Sequence, residues 1–135
     1  MTYLFDASSL VNLVKKGFLN AFSQGATADL AIYEALNAVW KEHHLLRKID
    51  RESALTLVEV LHGVLNAIDT YSIKGFEEEV FNLALKEEVT VYDASYLHLA
   101  MKNGLTLVTD DIKLMEKAKK HVKTLTSKEL KTVTT

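Results

Sequence analysis

Five carboxylates carry the chemical interest of this chain. Asp6 interrupts "YLFDASSLV" just after Tyr3, Leu4 and Phe5 have read as a strand heading into a core. Asp110 and Asp111 follow "LTLVT", Asp93 lies in "VYDASYLHLA", and Glu34 lies in "AIYEALNAVWK". Asp93 is the most telling, because Tyr96, Leu97 and Ala100 share its helical face and a charge on a buried stripe is costly without a partner. Glu34 differs: Ile32 and Leu36 point away from it, while Asn37, Ala38 and Lys41 share its face, as for a solvated helix glutamate.

Each aspartate between a strand and a helix also has an ordinary use as an N-cap, accepting a backbone N–H and complementing the helix dipole. Capping does not require the groups to meet. If they do meet, each close pair of charges costs about 4 kcal/mol at an effective dielectric near 20, and the cluster needs a cation. Hard oxygen ligands, with no cysteine in the chain, point to Mg²⁺ or Mn²⁺. His43 and His44 are adjacent, so they diverge on a helix and are poor joint ligands.

The elements that must position these groups alternate. A first strand spans about residues 2 to 6. Ser8 or Ser9 is expected to cap a helix carrying Leu10, Leu13 and Val14, which Gly17 breaks before a short helical piece, "FLNAFSQG". After Asp29 a brief "LAI" leads to a helix whose expected core face is Leu36, Val39, Trp40 and Leu46. A long helix from about Asp50 carries Leu57, Val58, Leu61, Leu65 and Ile68. "TYSIKG" is a weak strand, and "FEEEVFNLALKEE" is amphipathic through Phe76, Val80, Leu83 and Ala84. "VTVYDASYLHLAMKNG" reads as an extended start running into a helix closed by Gly104. "LTLVT" is the clearest strand, followed by the helix "DIKLMEKAKK" and a final strand "VKTLT".

Strands separated by helices imply an α/β three-layer sandwich with a central parallel sheet. In such sheets ligands bind beyond the carboxyl ends of the strands. Asp6, Asp93 and the Asp110–Asp111 pair are therefore expected on one rim.

At 135 residues, 48% apolar and 25% charged, with a net charge of −2, the chain reads as one globular domain over residues 1–135. No stretch is long enough to span a bilayer and no signal peptide is recognisable, so a cytoplasmic location is expected. Without cysteine, disulfides, thiolate nucleophiles and sulfur-based zinc sites are excluded. The slightly acidic balance argues against a nonspecific polycation wrapping nucleic acid.

Taken in order, "FDASSLVNL", "AIYEALNAVWK", "VYDASYLHLA" and "LVTDDIKL" give the chain a pattern that resembles the PIN-domain nucleases, and among them the small VapC-type toxins of toxin–antitoxin pairs. The resemblance runs over nearly the whole chain. It implies that Asp6, Glu34, Asp93 and Asp111 form an acidic metal site, with Ser8 and Thr109 as polar neighbours. The family pattern of Thr, any residue, then Asp, with a leucine three residues later, selects Asp111 with Leu114 and leaves Asp110 as the variable neighbour. No core acid is missing.

The activity implied is hydrolysis of RNA phosphodiesters under Mg²⁺ or Mn²⁺, with endonucleolytic cleavage of single-stranded or looped substrate. Without the four proposed ligands the formal charge changes from −2 to +2 (−2 + 4), so a metal-filled site need not repel phosphate. Lys113, Lys117 and Lys120, at helical spacing, could guide the RNA backbone, as could Lys15 and Lys16; a solvated face is the ordinary explanation for both groups. The partners implied are a cognate antitoxin and a second copy of the chain. The two amphipathic helices around residues 33 to 69 offer a self-association surface, although an internal core is the commoner use of such stripes.

Competing readings are weaker or less specific. A haloacid-dehalogenase-type phosphatase expects a second aspartate where this chain has Ser8, and a receiver domain expects a different order of acids. A non-catalytic RNA- or protein-binding module on the same fold, and a housekeeping RNA-processing nuclease, are separated from the toxin reading by nuclease assays with metal and EDTA and by the presence of an adjacent antitoxin gene.

Overall fold

Strand β1 (Tyr3–Phe5) lies at the centre of a five-stranded, all-parallel sheet, between β2 (Gly25–Ala28) and β4 (Thr106–Val108). The edges are β3 (Asp69–Tyr71), beside β2, and β5 (Thr124–Leu125), beside β4. This computed structural model describes residues 2–134. Successive residues of a strand face opposite sides of a sheet, so the complete burial of both Leu4 and Phe5, and of both Leu107 and Val108, shows that both faces of the sheet are covered. Three layers follow, as expected from the sequence.

Helices occupy the connections. They are α1 (Ala7–Lys15), α2 (Ala31–Trp40), α3 (Arg51–Ala67), α4 (Glu77–Glu87), α5 (Val91–Asn103), α6 (Ile112–Ala118) and α7 (Ser127–Thr134). α1 packs against α2, α3 and α7; α5 packs on β1, β2 and β4 and carries α4. Gly104 closes α5 in the left-handed region, φ +65°, which spares the strain of a Cβ. Gly25 has a different use: a Cβ there would run into the ring of Phe5, the residue that precedes Asp6.

The strand order β3-β2-β1-β4-β5 means the chain begins in the middle, winds outward, then crosses back to the other side of β1. The reversal lies between β1 and β4. In open parallel sheets such a reversal is where ligands bind, beyond the carboxyl ends of the strands; Phe5 is in register with Val108, so Asp6 leaves the sheet beside Thr109.

Several expectations need correction. The cap of α1 is Asp6, whose side chain accepts from the Ser9 amide, and not Ser8 or Ser9. β2 is "GATA", four buried residues of low strand propensity, and most of "LAI" belongs to the start of α2. The buried stripe of α2 is Ala31, Ala35 and Val39; Leu36, Trp40 and, beyond the helix, Leu46 are exposed. No strand precedes Asp93, since Val91 and Tyr92 are already helical. α7 was not expected, although Thr126 and Glu129 form a reciprocal capping box at its start.

Candidate active site

The loop after β1 and the loop after β4 are tied together through Asp6. Its carboxylate is buried, 5% exposed. Oδ1 accepts from Ser8 Oγ at 2.8 Å and from the Ser9 amide at 2.9 Å, and Oδ2 accepts from Thr109 Oγ1 at 2.5 Å. Thr109 Oγ1 in turn accepts the amide of Asp111 at 3.0 Å. Burial raises the Asp6 carboxyl above its ordinary range, and the hydrogen bonds from Thr109, Ser9 and Ser8 oppose that rise. Ser8 Oγ also accepts the Asp110 amide. One hydroxyl therefore spans both loops.

The two aspartates after β4 part company. Asp110 accepts from Asn12 Nδ2 at 2.7 Å and from the amide and hydroxyl of Ser127 at 2.8 and 2.6 Å. It fastens the loop to α1 and α7. Asp111 caps α6 through Oδ1, accepting from the Leu114 amide at 3.1 Å.

Asp93 reaches the same rim from the first turn of α5. Thr90 supplies the cap, accepting the Asp93 amide at 3.1 Å, so the Asp93 carboxylate is free of that duty. Burial, then the charges of Asp111, Asp6 and Glu34, push its carboxyl up to about 6, with Lys113 opposing. Glu34, in the first turn of α2, accepts from the Tyr96 hydroxyl at 2.7 Å, and Tyr96 is buried at 1% exposure. Burial and then Glu34 hold the phenol well above the usual tyrosine range. Tyr96 is a member of this group that the sequence reading assigned to packing alone, although its place three residues after Asp93 was the available signal.

Capping and clustering thus coexist: Asp6 and Asp111 do both, Asp93 only the second. Glu34 is not a freely solvated glutamate. Asn37, on the same face of α2, lines a groove that it shares with Ser8 and Glu34. Lys113 is exposed and close enough to Asp93 to oppose its rise, whereas Lys120 pairs with Glu87 instead.

Among the described residues, no three histidine, aspartate or glutamate side chains stand in a ready-made metal-binding arrangement. As placed, Asp6 and Asp111 turn toward helix amides and Glu34 toward Tyr96. The chemistry of the donor set nevertheless suits a hard divalent cation: all four groups are carboxylates, and after burial it is the charges of the other three that raise the Asp93 carboxyl.

No family model matches the chain. Ribonuclease VapC3 of Pyrobaculum aerophilum is 44% identical over 92 residues, 67% of this chain and 69% of that protein. Exonuclease VapC9 of the same organism is 34% identical over 119 residues, 87% of this chain and 86% of that one. The crystal structure of PAE2754 from Pyrobaculum aerophilum superimposes with a TM-score of 0.78 at 32% identity, covering 96% of this chain and 93% of that chain. The structure of VapBC2 from Rickettsia felis bound to a DNA fragment from their promoter gives 0.59 at 14% identity, over 93% and 98%, a likeness of fold.

Proposed function

Because the chain belongs to the VapC family of PIN-domain nucleases, we propose that it is a divalent-metal-dependent ribonuclease and the toxin of a toxin–antitoxin pair. The observation that carries the reading is the approach of Asp111, Asp6 and Glu34 to Asp93, whose carboxyl is pushed up to about 6 by burial first and then by those three charges. That rim is a well of negative charge short of a cation.

Asp6, Glu34, Asp93 and Asp111 would hold Mg²⁺ or Mn²⁺. Such an ion, when bound, lowers the pKa of water and neutralises charge on a phosphate. The surrounding residues do the positioning. Thr109 and Ser8 fix both oxygens of Asp6, and Tyr96 aims Glu34 from the neighbouring helix. Asp110 locks the loop that carries Asp111, and Lys113 offers a cation to an incoming phosphate.

We assign endonucleolytic cleavage. The relatives are named both ribonuclease and exonuclease, so a circular single-stranded RNA is the deciding substrate. Linearisation of the circle under Mn²⁺, abolished by EDTA, is the expected result; degradation of linear RNA alone would replace the endonuclease with an exonuclease. RNA cutting that survives in EDTA would overturn the metal site.

A protein partner fits the exposed apolar side chains of α2 and the segments after it: Ile32, Leu36, Trp40, Leu45, Leu46 and Leu55 are all at least 40% exposed. We read this surface as the place where a second copy or an antitoxin is held. Light scattering on the purified chain is expected to give a dimer; a strict monomer at micromolar concentration would contradict self-association. Among the described residues, no helix is long and apolar enough to cross a membrane.

A further inference from the structure

An open groove of about 400 Å³ leads away from the acidic rim between α1 and α2. We propose that it is a nucleotide subsite, seating the base next to the scissile phosphate and, at its far end, the following phosphate; the inference rests on the nuclease reading above.

The two walls have one spacing. From α1 come Ser8, Val11, Asn12 and Lys15, at i, i+3, i+4 and i+7, so they form one stripe. Glu34, Asn37 and Ala38 from α2, with Lys41 just past its end, repeat that spacing. Ser8 and Glu34 belong to the acidic rim, and seven residues of helix put each lysine about 10 Å further along. The groove therefore begins at the reacting centre and ends at Lys15, Lys41 and Glu42.

Its middle suits a base. Val11 and Ala38 supply apolar surface for the flat ring. Asn37 is exposed and its side chain makes no hydrogen bond to a described residue, so its side-chain amide has a donor and an acceptor to offer. Unstacked RNA bases are read at their edges by such groups. Asn12 is already engaged, donating to Asp110, and can contribute only its remaining capacity. Lys15 is paired with Glu42 at 2.5 Å, whereas Lys41 makes no ion pair with a described residue. Lys41 is thus the cation open to a phosphate. A metal at one end and an ammonium at the other match two successive phosphates with a base between them, which favours RNA over a peptide segment.

The test separates the groove from the chemistry. Binding of a short fluorescent single-stranded RNA is measured on the Asp93→Asn protein, while cleavage of a randomised RNA pool by the wild-type protein is read by sequencing the new ends. In the Asp93→Asn background, Asn37→Ala and Lys41→Gln are each expected to weaken binding about tenfold. Lys41→Gln should also reduce the slope of log affinity against log salt by about 0.7, one phosphate contact on a single strand. In the otherwise wild-type protein, Asn37→Ala should flatten the base preference at one position beside the cut. Both side chains are exposed, so melting temperatures serve as the folding control. Unchanged affinity and salt slope in both variants would overturn the subsite, even with RNA cutting intact. Absence of cutting alongside the expected binding losses would instead overturn the nuclease reading and leave the groove an RNA site. Unchanged RNA affinity with loss of antitoxin binding would assign the groove to the protein partner and overturn the proposal.

Discussion

Glu87 and Asp93 lie six residues apart in sequence and in opposite electrostatic company. Glu87, in the last turn of α4, is 2% exposed and sits between Lys120 Nζ at 2.7 Å and His121 Nε2 at 2.9 Å. Those partners, Lys120 first, draw its carboxyl down to about 2. Asp93 is half-buried, and its carboxyl is pushed up to about 6 by that burial and then by Asp111, Asp6 and Glu34, with only Lys113 in opposition. A carboxylate that leaves water must find positive charge. At Glu87 the fold supplies that charge, and the result is a structural ion pair joining α4 to the turn after α6. At Asp93 the fold withholds it, and the deficit is what a metal would fill.

The largest effect that could break this contrast is on activity. Asp93→Asn should reduce RNA cleavage by about a thousandfold or more, while Glu87→Gln should leave the rate per folded molecule unchanged; cleavage assays on both variants decide. Their stabilities should move in opposite senses. Without metal, Asp93→Asn should raise the stability at pH 7 by about 1 kcal/mol, after allowance for solvent screening, since it removes a repelled charge. Glu87→Gln should lower the melting temperature, because Lys120 and His121 lose their partner.

A metal titration sharpens the same contrast. Mn²⁺ at a hundredfold excess over its dissociation constant should stabilise the wild-type protein by about 2.7 kcal/mol. The Glu87→Gln protein should gain as much and the Asp93→Asn protein far less. An equal gain in all three, by thermal melts, would detach the metal from the acidic rim.

Smaller effects appear along the pH axis in EDTA. The folded Asp93 carboxyl, at about 6, lies above its unfolded value of 3.8. Its favourable contribution is therefore complete below pH 3.8 and is lost as pH rises through 6. Glu87 runs the other way: its folded value of about 2 lies below the unfolded 4.5, so its contribution is complete above pH 4.5 and is lost as pH falls through 2. Melts of each variant against wild type should differ in those separate windows, and Mn²⁺ should remove only the Asp93 window. Smallest of all should be Lys120→Gln, which removes a mostly exposed cation and leaves His121 on Glu87; its melting temperature should fall less than that of Glu87→Gln.

How much of this was readable in advance depended on whether the signal was local. Asp6 beside Phe5 and the "TDD" after "LTLVT" each announce a strand ending in an acid, and the alternation of strands and helices was enough to place them on one rim. β2 was not readable because glycine and alanine have little strand propensity of their own; "GATA" is a strand because β1 and β3 pair with it and because Phe5 needs the space over Gly25. Leu36 and Trp40 misled for a related reason. Their spacing is that of a core stripe, but small alanines at 31 and 35 already fill the close approach of α2, which leaves the larger residues outside. Tyr96 was assigned to the core, where its ring does lie; its hydroxyl's bond to Glu34 depends on how α5 meets α2, which no single segment encodes. The capping box at Thr126 and Glu129 was local and legible, and α7 could have been found from it.

The Ser127 clamp on Asp110 has an outcome at the level of the gene. A late frameshift or nonsense change that spared all four acids would still delete one of the two helices to which that loop is fastened, and the loop that carries Asp111 would lose two of its hydrogen bonds. If the product is poisonous to its host, surviving lineages should carry disabling lesions in the codons of α7 as well as in the obvious catalytic ones.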